Sequence, residues 1–377
     1  MTGAMYAAIS GLKTHMNKLN VIGNNIANVN TYGYKTQRAI FSDSIYVNLK
    51  AGSNGTAVDG ASNPSQIGYG VELSAVDVDM SSGTFAPTGK DMDCMIMGDG
   101  FFLVGDKEKQ YMIDPTNADS LSSLSLTRVG NFEFKSDGYL SDANGNLVYG
   151  FLCTGVIGDT KVFSDQLVPI RLPRLLVGTN PDTGVDEIQV AYPNATEGGY
   201  LQDMTGADGE ELPFAGMESI SIDPTTGTIL GISKDTKMPV TIGVIAIGSV
   251  TNPNGVSHIG GPYYQAAGGA GKVQVSLMGG MEKEMMICNN PLESSEMTNF
   301  TYLNASVYGD DIEGLSEDMR VYGAGSAELM TGGLEMSKTD LTNEISEMIT
   351  TQRGYQANTR IITVTDSMLE ELVNLKR

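Results

Sequence analysis

Val21-Ile22-Gly23-Asn24-Asn25-Ile26-Ala27-Asn28-Val29-Asn30-Thr31, running on into Tyr32-Gly33-Tyr34-Lys35, closes the first of two long helical patterns at opposite ends of a 377-residue chain. Read back from this stretch, Met5, Ala8, Leu12, His15, Leu19, Ile22, Ile26 and Val29 recur at alternating steps of three and four. That spacing holds one apolar stripe on one side of a helix. Around the stripe stand Asn17, Asn20, Asn24, Asn25, Asn28 and Asn30. Asn is a mediocre helix former, because its amide competes with the backbone for hydrogen bonds. So many of them predict amide contacts with neighbours.

The other end carries the matching pattern. Leu334, Leu341, Met348, Tyr355, Ile362 and Leu369 recur every seven residues, with Ile345 and Val373 flanking that line. Gln352, Thr359 and Asp366 form a polar companion row. Ser337 or Thr339 is placed to cap the helix start, with Asp340, Glu344 and Glu347 acidic in its first turns. Gly354 interrupts it at a cost of about 1 kcal/mol against Ala, which a close helix–helix approach explains. Two helices with narrow apolar stripes at the extremities find their partner in each other or in a neighbouring subunit. The pattern points to a self-assembling structural protein.

Composition narrows the classes. The formal net charge is −22, from 23 basic and 45 acidic residues, which argues against a large nucleic-acid footprint and against binding to an anionic membrane. Residues 1–50 hold Lys13, Lys18, Lys35, Arg38 and Lys50 against Asp43 alone, so the negative charge lies chiefly in the middle of the chain. Cys94, Cys153 and Cys288 are an odd, scattered set with no C-x-x-C pair, not a disulfide framework. The first residues lack the basic and apolar regions of a cleavable signal peptide. The most apolar stretch, Val240 to Val250, is far short of the ~20 residues that span a bilayer.

Between the ends the period changes to that of strands. Residues 36–75 are polar and rich in Gly and Asn, and read as an extended linker containing Asn63-Pro64-Ser65-Gln66-Ile67-Gly68. Alternating runs begin at Val71, Leu73, Val76 and Val78; Asp137-Gly138 and Asn144-Gly145 are hairpin turns. The fold class expected is mostly β with terminal α-helices, with nested, discontinuous β domains inserted between coiled-coil-like ends. Residues 1–35 and 334–377 form the axial helical domain. Residues 76–150 and 241–333 form an inner β domain with an insertion at about 271–325, and residues 151–240 an outer one. The turn-rich boundaries of that outer block predict that its excision leaves an inner structure able to fold.

Catalytic patterns are missing. His15 and His258 have no metal-ligand spacing, and His15 reads as a packed neutral imidazole on a helix seam. Asp142-x-Asn144-x-Asn146 has neither the Gly nor the Glu of a calcium loop and reads as a hairpin turn. Methionine groups such as Met92, Met95 and Met97 fit a β core or an adaptable interface. No cofactor and no enzymatic activity are expected.

Ile22-Gly23-Asn24-Asn25-Ile26-Ala27-Asn28-Val29-Asn30-Thr31 with Gly33-Tyr34-Lys35 resembles the N-terminal signature of the bacterial flagellar rod and hook family. Thr350-Thr351-Gln352-Arg353-Gly354-Tyr355-Gln356-Ala357-Asn358 and Leu369-Glu370-Glu371-Leu372-Val373-Asn374-Leu375 resemble its C-terminal signature. Asn63-Pro64-Ser65-Gln66-Ile67-Gly68, Gly98-Asp99-Gly100-Phe101-Phe102, Thr127-Arg128-Val129-Gly130-Asn131-Phe132 and Leu334-Glu335-Met336-Ser337 fit the hook members of that family. The resemblance implies a helical homopolymer, the flexible tube between the motor's rod and the filament in swimming motility. Its axial packing would use Met5, Leu12, Leu19, Ile22, Asn24, Asn25, Ile26 and Asn28 against Leu341, Ile345, Met348, Tyr355, Ile362, Leu369 and Val373. Gly33, Tyr34, Lys35, Asn63, Pro64, Gln66 and Gly68 would be the linker motif. Implied partners are the distal rod protein, the hook cap, the hook–filament junction proteins and the flagellar type III export apparatus, with no nucleic acid and no membrane insertion. The subunit would be exported to the extracellular hook without a cleaved signal. Distal rod protein is the alternative within the family, and an acidic secreted β-rich adhesin the alternative outside it.

Overall fold

The computed structural model describes residues 2–52, 54, 60–106, 113, 121–157, 160–164, 166–179, 186–191, 194–195, 201–202, 212–266, 268–278, 285–287, 301–302, 324–325 and 327–375. They divide into two compact units, residues 1–80 with 337–377, and residues 81–336. Most of the insertion expected at about 271–325, Cys288 included, lies outside the described residues. The architecture is mostly β with one long helix at each end.

In the first unit, α1 (Thr2–Ala27) is about 39 Å long and α2 (Leu341–Leu375) about 52 Å. The start of α2 corrects the expected boundary at 334. Leu334 lies in the strand Gly333–Glu335, buried in the second unit, and does not begin the helical seam. The cap is Asp340 rather than Ser337 or Thr339: its Oδ1 accepts from Thr342 N at 2.9 Å and Asn343 N at 3.4 Å. A carboxylate there meets two of the otherwise unpaired N–H groups and the positive end of the helix dipole.

The segment expected as a linker is paired into ladders. β1 (Gln37–Asp43) runs antiparallel to β4 (Val71–Val78), with a bulge between Ile40 and Phe41. β2 (Tyr46–Lys50) pairs with β3 (Ser65–Gly68). The β1–β4 ladder is tied to α1, since Val71 N donates to Ser10 Oγ at 3.2 Å and Thr14 Oγ1 donates to Val71 O at 3.3 Å. Every residue of β2 and β3 is exposed. Polar composition concealed these strands: half-buried Ile40, Phe41 and Leu73 stand among Arg38, Asp43, Glu72 and Ser74, which are exposed.

The second unit opens with β5 (Phe85–Pro87), β6 (Asp93–Met97), β7 (Phe101–Gly105) and β8 (Ser125–Thr127). The chain returns beside its own entry: Glu328–Thr331 pairs with β6, and Gly333–Glu335 with β5. The long strand Leu147–Ile157 pairs with β7 at Leu147↔Gly105 and with Pro239–Ile245 at Phe151↔Val244. One apolar cluster joins Cys94, Ile96, Phe102, Val104 and Val148 to Ile170, Ile222, Ile229, Ile242 and Ile245. That cluster draws side chains from both sides of the boundaries at 150 and 240. Asp137-Gly138 and Asn144-Gly145 are tight turns, with Gly138 and Gly145 at φ 75° and 89°. The Asp142 carboxylate is taken up by its own turn, accepting from Asn144 N and Asn146 N at 2.9 Å each, and from the Tyr263 hydroxyl.

Where the chain leaves the β unit, a charged pair is sealed in. Arg128 and Glu335 have side chains 1% exposed, with Nη1 and Oε2 3.9 Å apart. Arg128 Nη2 donates to Gly98 O at 2.9 Å, and Glu335 Oε1 accepts from Gly83 N at 2.7 Å. Burial draws the Arg128 guanidinium below its ordinary pKa, and Glu335 opposes that shift. Breaking a buried pair strands the remaining charge. Glu335→Ala is therefore expected to destabilise the β unit by about 3–5 kcal/mol, read as a fall in the urea midpoint. Replacing Arg128 and Glu335 together by Leu should cost less than the two single losses added. A Glu335→Ala midpoint equal to wild type would show that the pair does not support this exit.

Candidate assembly site

The functional geometry of a chain built like this lies along its terminal helices. Asn358 Nδ2 stands 2.6 Å from where a Cβ on Gly11 would lie, and the His15 ring 2.8 Å from where one on Gly354 would lie. Asn25 Nδ2 donates to Glu344 Oε1 at 3.0 Å. The three contacts set one register, in which each step along α1 is matched by an equal step back along α2, so the helices run antiparallel. At Gly11 and Gly354 any side chain would have to displace the Asn358 amide or the His15 ring. Lys18 Nζ meets Glu347 Oε2 at 2.8 Å on the solvent side of the seam.

Asn25 anchors one end of the pair and is 1% exposed. Its Nδ2 also donates to Gln37 O at 2.8 Å, and its Oδ1 accepts from Tyr34 Oη at 2.9 Å and Gln37 N at 3.0 Å. All four hydrogen-bonding positions of the amide are thus in use. One side chain ties together α1, the following turn, the first residue of β1 and α2. Asn24 Nδ2 reaches Tyr34 Oη at 3.0 Å, while Asn28 Nδ2 turns back to Asn24 O at 2.9 Å and Thr31 Oγ1 donates to Asn28 Oδ1 at 3.1 Å. Part of the asparagine richness therefore ends the helix locally. Gly33, at φ 68°, makes the turn that brings Tyr34 back, and Lys35 is 2% exposed.

The expected seam residues fall unevenly. On α1, Met5, Leu12, Leu19, Ile26 and Asn28 are half-buried, Ile22 and Asn25 buried and Asn24 exposed. On α2, Met348, Ile362 and Leu369 are half-buried, whereas Leu341, Ile345, Tyr355 and Val373 are exposed. The polar row beside the seam is not Gln352, Thr359 and Asp366. Thr351 and Thr365 are the buried residues of α2, in line with Glu344 and Asn358. The shift by one residue follows from the contacts of Asn25 and Gly11, which fix how α2 is rotated. In the linker motif, Asn63, Pro64, Gln66 and Gly68 are exposed, and Gln66 Nε2 donates to Asn48 Oδ1 across the β2–β3 pair.

Two family models match the same ends of the chain: "Flagella basal body rod protein" over residues 5–35, and "Flagellar basal body rod FlgEFG protein C-terminal" over residues 330–375. The flagellar basal-body rod protein FlgG of Bacillus subtilis (strain 168) is 30% identical over 377 residues, covering 100% of both chains. The chain belongs to the flagellar hook and basal-body rod protein family. Relatives named flagellar hook protein FlgE include that of Borreliella burgdorferi, 26% identical over 100% of both chains. That of Salmonella typhimurium (strain LT2) is 24% identical over 98% of this chain and 99% of its own. These relatives are structural flagellar proteins, which places this chain among hook and rod components of the motility apparatus. No described helix is long and apolar enough to cross a membrane. Among the described residues no three His, Cys, Asp or Glu side chains are grouped to hold a metal ion.

Charge at the seam gives a pH dependence. Burial raises the Glu344 carboxyl above its ordinary 4.5; Glu347 and Asp340 add to that, and Asn25 and Lys18 oppose it. Burial, with Glu344 beside it, likewise pushes the Tyr34 hydroxyl up to about 12. A carboxyl that holds its proton more tightly when packed favours packing at low pH. This contribution is lost as pH rises from 4.5 through the raised value. Glu344→Gln is therefore expected to stabilise the helix pair at about pH 7 and to lose that advantage near pH 4. Thermal unfolding followed at 222 nm, comparing the two proteins at each pH, checks this; a constant difference across the range would refute it.

Proposed function

We propose that this chain is a subunit of the flagellar hook, polymerising into the flexible tube that couples the motor's rod to the filament. The observation that carries the reading is a second apolar stripe on each terminal helix that the described residues leave uncovered. Tyr6, Ile9 and Met16 on α1, and Ile361, Val364, Met368, Leu372 and Leu375 on α2, are all exposed. Their spacing of three, four and seven keeps each set on one side of its helix. A monomer gains nothing by presenting such stripes to water, and burial between copies removes them from it. Asn63-Pro64-Ser65-Gln66-Ile67-Gly68 and Gly98-Asp99-Gly100-Phe101-Phe102, which fit the hook members of the family, support hook over rod.

A second reading is distal rod subunit, favoured by the 30% identity to a rod protein over the whole length. Under either reading the family resemblance implies export through the flagellar type III apparatus, without a cleaved signal. The hook reading adds contacts with the distal rod, the hook cap and the hook–filament junction proteins. Deleting the gene and imaging isolated basal bodies separates the two. The hook reading requires a complete rod ending without a hook. Basal bodies lacking the distal rod would overturn it in favour of the second.

A further inference from the structure

His15 stands, half-buried, where α1 packs against α2. Its Cε1 and Nε2 lie 2.8 and 2.9 Å from where a Gly354 Cβ would be, so the ring occupies the space a side chain there would need. Phe41 of β1 meets it edge to face, with centroids 6.0 Å apart. Its Nδ1 is buried without a hydrogen-bond partner among the described residues. The charged residues on the elements packed around it include Lys13 and Lys18 on α1, Glu347 and Arg353 on α2, Arg38 and Asp43 on β1, and Glu72 and Asp77 on β4. Glu347 is engaged by Lys18 at 2.8 Å and Asp77 by Arg38 at 3.7 Å.

We propose that His15 is an acid-operated latch of the helix pair. Neutral, the ring seats between Gly354 and Phe41 and the helices close; protonated, it leaves that seat and the pair opens. Protonation sets a positive charge beside Lys18 on a half-buried ring whose Nδ1 has no acceptor among the described residues, and a partly desolvated cation without a partner is costly. Burial first, and Lys18 second, lower the pKa of the ring below 6.5. The sign follows: the open chain binds the proton more readily, so the contribution to closure is complete above 6.5 and is lost as pH falls through the lowered value. The latch concerns a contact within one chain, and holds whether the polymer is hook or rod.

The test uses the full chain carrying Glu344→Gln, which removes the opposing carboxyl. Deuterium exchange at the His15 Cε1 position, read by mass spectrometry, gives the midpoint of the ring itself. Amide exchange in α1 and α2, corrected for intrinsic rates, gives opening of the pair. The ring midpoint is expected below 6.5, and helix protection should fall by up to about tenfold per pH unit between 6.5 and that midpoint. His15→Phe, which keeps a ring in the seat, should abolish that fall. The proposal is overturned by a ring midpoint at or above 6.5, by protection that does not change across the window, or by a His15→Phe variant of that chain that opens as its Glu344→Gln parent does. Should His15→Phe fail to fold, the two curves of the Glu344→Gln parent decide: protection that falls outside the window between 6.5 and the ring midpoint refutes the latch.

Discussion

Excision of residues 151–240 is expected to unfold the β unit rather than leave an inner structure that folds alone. Phe151, Leu152, Phe163, Ile170, Ile222 and Ile229 are each no more than 4% exposed, and all lie inside that span. Ile170, Ile222 and Ile229 share one cluster with Phe102, Val104, Val148 and Ile245 on the other side of the cuts. Removing them bares the faces of the residues that stay, at about 1.5–3 kcal/mol for each large apolar side chain returned to water. A few such exposures equal the about 5–15 kcal/mol that holds a domain folded. The cuts also sever the strands Leu147–Ile157 and Pro239–Ile245, and take from what remains of the latter its partners in Thr228–Ser233 and at Phe151 and Leu152. The ladder of Arg174–Thr179 with Asp186–Ala191 is different, because it forms a two-stranded sheet of its own. Replacing residues 177–190 by a short Asn-Gly turn should leave the urea midpoint of the unit nearly unchanged. A soluble, cooperatively unfolding product of the full excision would show that the shared cluster is dispensable.

That contrast marks what a sequence alone can disclose. The terminal helices were legible because a stripe repeating over 26 and 35 residues has no competing explanation. The signature motifs at both ends carried the family, and comparison with known proteins bears that out. The boundaries in the β region were drawn from turn residues. Turns report where the chain reverses but not which strands share a core, and Ile170, Ile222 and Ile229 reach theirs across long stretches of chain. In the same way, Arg128 and Glu335 each stood in a recognisable motif, yet nothing local joins residues so far apart. Asn25 drew attention only as one of six asparagines, named beside Asn24 and Asn28, by their number rather than by chemistry. Its four hydrogen bonds, one of them to Glu344, depend on how α2 is rotated, and a repeat of seven leaves that rotation uncertain by one residue. The same uncertainty put Gln352, Thr359 and Asp366 where Thr351, Asn358 and Thr365 stand.

Met348→Glu is expected to abolish polymerisation while leaving the β unit folded. Met348 is half-buried on the face of α2 turned toward α1, and the register fixed by Asn25–Glu344 and His15–Gly354 puts it level with Val21 and Ile22. A carboxylate there must either remain partly desolvated or push the helices apart, at about 1–3 kcal/mol. Each 1.4 kcal/mol is about tenfold in an association constant. Because every subunit repeats the defect, the concentration needed for assembly should rise by about ten- to a hundredfold. Leu372→Glu provides the matched case. Leu372 is 45% exposed in the single chain, so its replacement should leave the helix pair intact and still prevent assembly, if the outer stripe packs against a neighbouring copy. The two variants are distinguished by amide protection in α1, reduced by Met348→Glu and unchanged by Leu372→Glu, with pelleting assays and electron microscopy reporting the polymer. Normal tubes from Met348→Glu would remove the inner seam from the assembly site. Normal tubes from Leu372→Glu would leave its exposed stripe without a partner and the hook reading without its main structural support.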